Sequence, residues 1–181
     1  TFSGATTFDG LTTGDLNTLV GGEAGDSLTT GSRNVAVGTS ALATEDANGR
    51  NTAVGYAALN AQNAGADAYN AAVGYNAGLN VTTGIKNTIV GGQAGDALTE
   101  GDNNIIIGYA AAASAVDVDN EIVIGTLAGG LGANSAVIGT AAQQNAIVFG
   151  LRKTVHNVGA NQITAKVNYI NNFDNTGNAT I

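Results

Sequence analysis

The side chains that usually carry chemistry are scarce in this chain, and those present are poorly grouped for it. His156 is the only histidine and there is no cysteine, so neither a His-based nor a thiolate zinc site can be assembled. Its neighbours Arg152, Lys153 and Thr154 read as a surface strand or turn. Ser27, Ser40, Ser114 and Ser135 lie in turns or variable stretches, and none sits in the small-residue elbow that presents a nucleophilic serine. Gly129-Gly130-Leu131-Gly132 has the glycine density of a phosphate loop but lacks the Lys-Ser/Thr pair that completes one. Asp117-Val118-Asp119-Asn120-Glu121 sets carboxylates at alternate positions, as calcium loops do, without the EF-hand glycine and closing glutamate. It reads as a solvated acidic loop. The expectation is no catalytic residue, no metal site and no cofactor. The one regular set with binding chemistry is Tyr56, Tyr75 and Tyr109, each directly after a glycine. Such a stripe would stack on sugar rings; the simpler reading is that the rings fill the space beside glycine and cap an apolar seam.

The tyrosines belong to a longer pattern. Gly21, Gly38, Gly55, Gly74, Gly91, Gly108, Gly125, Gly139 and Gly150 follow one another at intervals of 17, 17, 19, 17, 17, 17, 14 and 11 residues. Before them stand Val20, Val37, Val54, Val73, Val90, Ile107, Ile124, Ile138 and Phe149, and three residues after the first eight stands an alanine. A short fixed period is the mark of stacked units, each one coil of a solenoid. Upstream of each glycine the residues are short, β-branched or apolar, which favours a strand; the glycine permits a bend or a close backbone approach. The expected coil is strand, bend, short strand and turn, with one helical turn plausible at Tyr109–Ala113. Nine coils at ~4.8 Å would stack to roughly 43 Å.

Two columns of the strand are apolar. Beside the Val/Ile column lie, one step back, Leu19, Ala36, Ala53, Ala72, Ile89, Ile106, Val123, Val137 and Val148. A strand with one wet face alternates apolar with polar residues, so this one is expected to be buried on both sides. One side faces the coil interior and the other a second chain. Val20, Val37, Val54, Val73, Val90, Ile107, Ile124 and Ile138 are therefore assigned to a trimer seam or to the coil core, and the growing bulk of the other column from Ala53 to Val148 reads as a change of axial packing. Asn17, Asn34, Asn51, Asn70, Asn87 and Asn104 each lie four residues before a glycine, while Asn120, Asn134 and Asn145 lie five before. The first six are expected to form a hydrogen-bonded ladder along the stack.

Composition agrees with a narrow solenoid. Only 5% of residues are aromatic, Pro, Met and Trp are absent and Gly numbers 27, which suits backbones lying close together. The net charge is −8. Residues 1–150 carry Arg33, Arg50 and Lys86 against thirteen acids, and residues 151–181 three cations against one acid. An acidic body repels phosphate backbones, so nucleic acid is not an expected partner. No run reaches the ~20 apolar residues of a membrane helix, and the best stretch, Ile105–Val116, contains Gly108; no membrane insertion is expected.

The segments Asn51-Thr-Ala-Val-Gly-Tyr-Ala-Ala-Leu59 and Asn70-Ala-Ala-Val-Gly-Tyr-Asn-Ala-Gly78 resemble repeats of phage tail fibres and, more loosely, the head repeats of trimeric autotransporter adhesins. Those heads carry a [Val/Ala]-Ile-Gly step and wind into left-handed parallel β-rolls, three chains to a head. The likeness spans about residues 17–150, though those heads use a shorter repeat. It implies an all-β parallel solenoid within a homotrimer, placed outside the cell, on its surface or on a virion. The expected division is an N-terminal extended flank over 1–16, the repeat domain over 17–150 and a C-terminal segment over 151–181. The flanks would cap the open ends, or join trimers head to tail by strand addition. The expected role is structural, a stiff rod for attachment or filament assembly. The alternative is an adhesin head that recognises a host surface glycan or protein.

Overall fold

The computed structural model describes residues 12–139 and the backbone of 147–150. Nine short strands form one sheet in chain order: β1 Thr18–Val20, β2 Val35–Val37, β3 Thr52–Val54, β4 Ala71–Val73, β5 Thr88–Val90, β6 Ile105–Ile107, β7 Ile122–Ile124, β8 Ser135–Ile138 and β9 Ile147–Gly150. From β1 to β8 every pairing is parallel and joins equivalent residues, for example Val54 with Val73 and Val73 with Val90. Eight parallel strands make about seven turns of a β-solenoid, roughly 34 Å along the stack at ~4.8 Å per coil. The expected ninth coil is not formed. β9 runs antiparallel to β8, because an interval of 11 residues is too short to travel round a coil built from 17.

The period glycines from Gly21 to Gly108 have two reasons to lack a side chain. Gly55 has a φ of 134°, a region closed to L-residues. A Cβ there would also strike the carbonyl group of Gly74 in the next coil, 2.6 Å from its carbon. Past the glycine the chain does not enter a second strand. It makes a tight turn, closed by the Ala58 N–H donating to the Gly55 carbonyl and repeated from Ala24–Gly21 to Ala128–Gly125. Residues 109–113 make the same turn where a helical one was plausible; Ala112 adds only a single bridge to Gly129. The two extra residues of the 19-residue interval fall outside the ladder, in a turn where Gly65 has a φ of 67° and open space around it.

The core lies inside the coils. Leu19, Ala36, Ala53, Ala72, Ile89, Ile106 and Val123 point inward and are buried, with Ala24, Ala41, Ala58, Ala77, Ala94 and Ala111 opposite them. In four coils bulk in the strand column is exchanged for bulk six residues later. Leu19 is matched by Gly25 and Ile89 by Gly95, whereas Ala36 is matched by Leu42 and Ala53 by Leu59. The fit is close: a Cβ on Gly25 would lie 3.0 Å from Leu19 Cδ2, and one on Gly95 3.2 Å from Ile89. At Ala72 and Gly78 both positions are small, and Ile89 and Leu59 of the adjoining coils fill the space, 3.0 and 3.1 Å from where a Gly78 Cβ would lie, as native packing density demands. The variation in that column is thus compensated within each chain, and does not mark a change of packing along a shared axis.

Candidate functional site: the polar spine and the open face

An asparagine spine runs beside the core. The backbone N–H of Asn34 donates to Asn17 Oδ1 at 2.9 Å, and the same bond repeats from Asn51 to Asn34, Asn70 to Asn51, Asn87 to Asn70 and Asn104 to Asn87. The amide nitrogens reach the facing turn: Asn87 Nδ2 donates to the Gly101 carbonyl at 2.8 Å and Asn104 Nδ2 to that of Val118 at 2.6 Å. The ladder is thus side chain to backbone, not amide to amide. It satisfies buried main-chain groups at the corner where the strand begins.

At the seventh coil the spine ends on Glu121. Its N–H donates to Asn104 Oδ1 at 2.8 Å, and its buried carboxylate accepts the N–H groups of Ser114 (2.9 Å) and Gly132 (2.7 Å). A side chain on Gly130 would collide with that carboxylate. The glycine-dense loop therefore closes on a carboxyl group, and that group is the chain's own Glu121. Asn120 and Asn134 stand one residue outside the spine, exposed and with φ of 57° and 60°; Asn145 and His156 lie outside the described residues.

Two further polar residues occupy an apolar column. Leu28, Glu45, Gln62, Val81 and Leu98 are equivalent, and all are buried. Glu45 Oε1 accepts the Asn48 N–H at 3.1 Å, while Gln62 Oε1 accepts from Asn70 Nδ2 at 2.7 Å and Gln62 Nε2 has no partner. Burial raises the Glu45 carboxyl above its ordinary value, against the opposing bond from Asn48. The folded chain then holds this proton more tightly than the unfolded chain does. Its contribution to stability is present below the ordinary carboxylate range and is lost as pH rises through the raised folded value. Glu45→Gln keeps the acceptor and removes the buried charge. It should raise stability at pH 7 by about 1–2 kcal/mol, with the two proteins converging near pH 4 in urea titrations. Equal midpoints at both pH values would contradict this.

The outer face of the sheet carries an apolar column, with Thr18, Thr52 and Thr88 beside it, and no described residue covers it. The coil interior being taken by the Leu19–Val123 column, Val20, Val37, Val54, Val73, Val90, Ile107, Ile124 and Ile138 all project outward. Val73 is 41% exposed; Val20, Val90 and Ile138 are exposed, and Val37, Val54, Ile107 and Ile124 half-buried. Val35, Ile105 and Ile122 extend this face. On one flank, following the strands, stand Tyr56, Tyr75 and Tyr109, each about half exposed. The Tyr56 and Tyr75 rings stack, centroids 5.3 Å apart and planes 12° apart, and Tyr109 leans over Gly92, which has no side chain. On the other flank, preceding the strands, lie Arg33, Arg50, Tyr69 and Lys86 at successive left-handed corners, with φ of 62°, 64°, 54° and 59°. Arg50 pairs with Asp67 and covers the Tyr69 ring, 5.2 Å from its centroid.

The sequence reading placed the seam candidates, spine and tyrosines in three separate columns, and they stay separate. It missed the left-handed corner column and the two buried polar residues; aligning Glu45 and Gln62 with Leu28 and Leu98 would have exposed the latter. Among the described residues no group of three or more His, Cys, Asp or Glu side chains is placed to hold a metal ion, and no helix is long and apolar enough to cross a membrane. No protein-family model matches the chain, and neither a curated protein nor a solved structure matches it.

Proposed function

We propose that this chain is a structural module of a homotrimeric fibre outside the cell, on a cell surface or on a virion, its solenoids packed by their open sheet faces around a common axis. The observation that carries the reading is that face: its Val/Ile column is apolar along its length, with β-branched Thr18, Thr52 and Thr88 beside it, while the inner face of the same strands is already filled. Burying it on a sister chain removes apolar area from water, at about 25 cal/mol per Å². A contiguous exposed apolar surface on a soluble domain marks an interaction site. The resemblance of the Ala-Val-Gly-Tyr step to tail-fibre and adhesin-head repeats supports the same assembly. Stiffness follows from the register: each coil is hydrogen-bonded to the next along strand, turn and spine. Tyr56 and Tyr75 spend ring faces on one another, which favours a structural part for them over a stripe that stacks on a glycan.

The test is solution mass together with one substitution. The wild-type chain should sediment as a trimer. In Val73→Asp a lone chain loses little, because residue 73 is partly in water, whereas a seam would bury an unpaired carboxylate from each subunit. The expected result is a folded monomer with an unchanged circular dichroism spectrum. A wild-type monomer would remove the proposal, and a trimer indifferent to Val73→Asp would remove the sheet face from it.

A further inference from the structure

The two flanks of the open face are complementary in their middle coils, and we infer that they latch neighbouring copies of this chain together, the corner column of one copy against the tyrosine column of the next. The inference rests on the trimer reading above and adds its lateral contact. All three cations of residues 1–150 fall in one surface column, at Arg33, Arg50 and Lys86, with Tyr69 between them. The backbone does not ask for them. At a left-handed corner Gly or Asn is the least strained choice, and the later corners do use Asn103, Asn120 and Asn134. Four successive corners carry long cationic or aromatic side chains on a body that is otherwise acidic. Among the described residues, Arg33 and Lys86 make no ion pair; the one present joins Arg50 to Asp67.

Symmetry then fixes what faces them. The strands β1–β8 are parallel and in register, so every corner residue lies on one lateral edge of the sheet and Tyr56, Tyr75 and Tyr109 on the other. In a cyclic trimer with the sheets toward the axis, the leading edge of one copy meets the trailing edge of the next. Rotation about an axis parallel to the stack moves nothing along the stack, so coil meets equivalent coil. Arg33 then faces Thr39, and the Glu23 carboxylate, which accepts the Ser40 hydroxyl at 2.8 Å, lies one coil away. Arg50 meets Tyr56, and Tyr69 meets Tyr75. Lys86 arrives at Gly92, over which the Tyr109 ring leans, and an ammonium group there lies against that ring. Antiparallel packing would take Arg50 from Tyr56 and Lys86 from the Tyr109 ring.

The absence of cysteine makes the test direct. Two double variants are made, Arg50→Cys with Tyr56→Cys and Lys86→Cys with Gly92→Cys. Within one chain each pair is held apart by a strand, on the order of 15–20 Å at ~3.3 Å per residue, beyond the ~7 Å limit of a disulfide. Oxidation, or a short bismaleimide where the gap is wider, should close a covalent trimer on a denaturing gel, while each single variant stays monomeric there. Native sedimentation of the same samples separates the outcomes. A native trimer in which neither pair cross-links overturns the latch and leaves the trimer standing. Dimers formed by a single-cysteine variant overturn it in favour of a two-fold contact. A native monomer removes the trimer and the latch with it.

Discussion

Gly55→Ala should abolish the cooperative unfolding transition of this protein. The new Cβ meets two obstacles that do not relax together. At a φ of 134° an L-residue is strained, by about 1–3 kcal/mol. Rotating the backbone to relieve that strain breaks the ladder, since the Gly55 N–H donates to the Val37 carbonyl at 2.7 Å. Leaving the backbone in place drives the methyl group into the Gly74 carbonyl carbon at 2.6 Å, and that group belongs to the next coil. Parting the coils costs strand, turn and spine hydrogen bonds at once. A loss of at least about 4 kcal/mol follows, comparable with the whole stability of many domains. Gly22→Ala is the control, because no atom lies within 4 Å of its Cβ position and its φ is not left-handed; its effect should stay within about 0.5 kcal/mol. Urea unfolding followed by circular dichroism distinguishes them, and similar midpoints for the two variants would refute the close-approach account.

That contrast also shows why the period was legible and other features were not. A position needing both a forbidden φ and backbone contact admits glycine alone, so residue identity records the geometry directly. The direction of the strand faces left no such record. In β4 Ala71, Ala72 and Val73 are all apolar, and alternation of polarity cannot tell inside from outside there; only Thr18, Thr52 and Thr88 mark the outer face. The signal lay six residues away, in Leu19 with Gly25 and Ala36 with Leu42, where one side chain grows as the other shrinks. The corner column was hidden for the opposite reason. Arg33, Arg50 and Lys86 have no preference for left-handed backbone, so nothing in their type announces a turn. The last interval misled because a Phe-Gly step looks like the others, while its spacing of 11 residues leaves no chain for a circuit. The 14-residue interval before it does close as a parallel step, Ile122 against Ala136, with the Glu121 side chain filling the shortened turn.

Asn70→Ala should be the most costly single truncation in the spine. Asn70 is buried and engages four groups. Its Oδ1 accepts the Asn87 N–H at 2.8 Å, its Nδ2 donates to Gln62 Oε1 and to the Gly84 carbonyl, both at 2.7 Å, and its own N–H donates to Asn51 Oδ1 at 3.1 Å. Alanine keeps only the last of these. The Asn87 N–H and Gly84 carbonyl are left buried without partners, and Gln62, whose Nε2 already lacks one, loses its remaining bond. Each stranded group costs about 1–3 kcal/mol, so the expected loss is about 3–5 kcal/mol. Asn17→Ala removes the same two kinds of bond, to the Asn34 N–H and the Gly31 carbonyl, but at a half-buried end rung. Water can replace them there, and the expected loss is about 1 kcal/mol. The difference is the diagnostic: a spine that acts by satisfying buried backbone must weaken steeply from its middle to its open end, and amide exchange at Asn87 should accelerate in Asn70→Ala alone. Equal losses at the two rungs would mean that the asparagines act through local turn preference, which is the same at every coil.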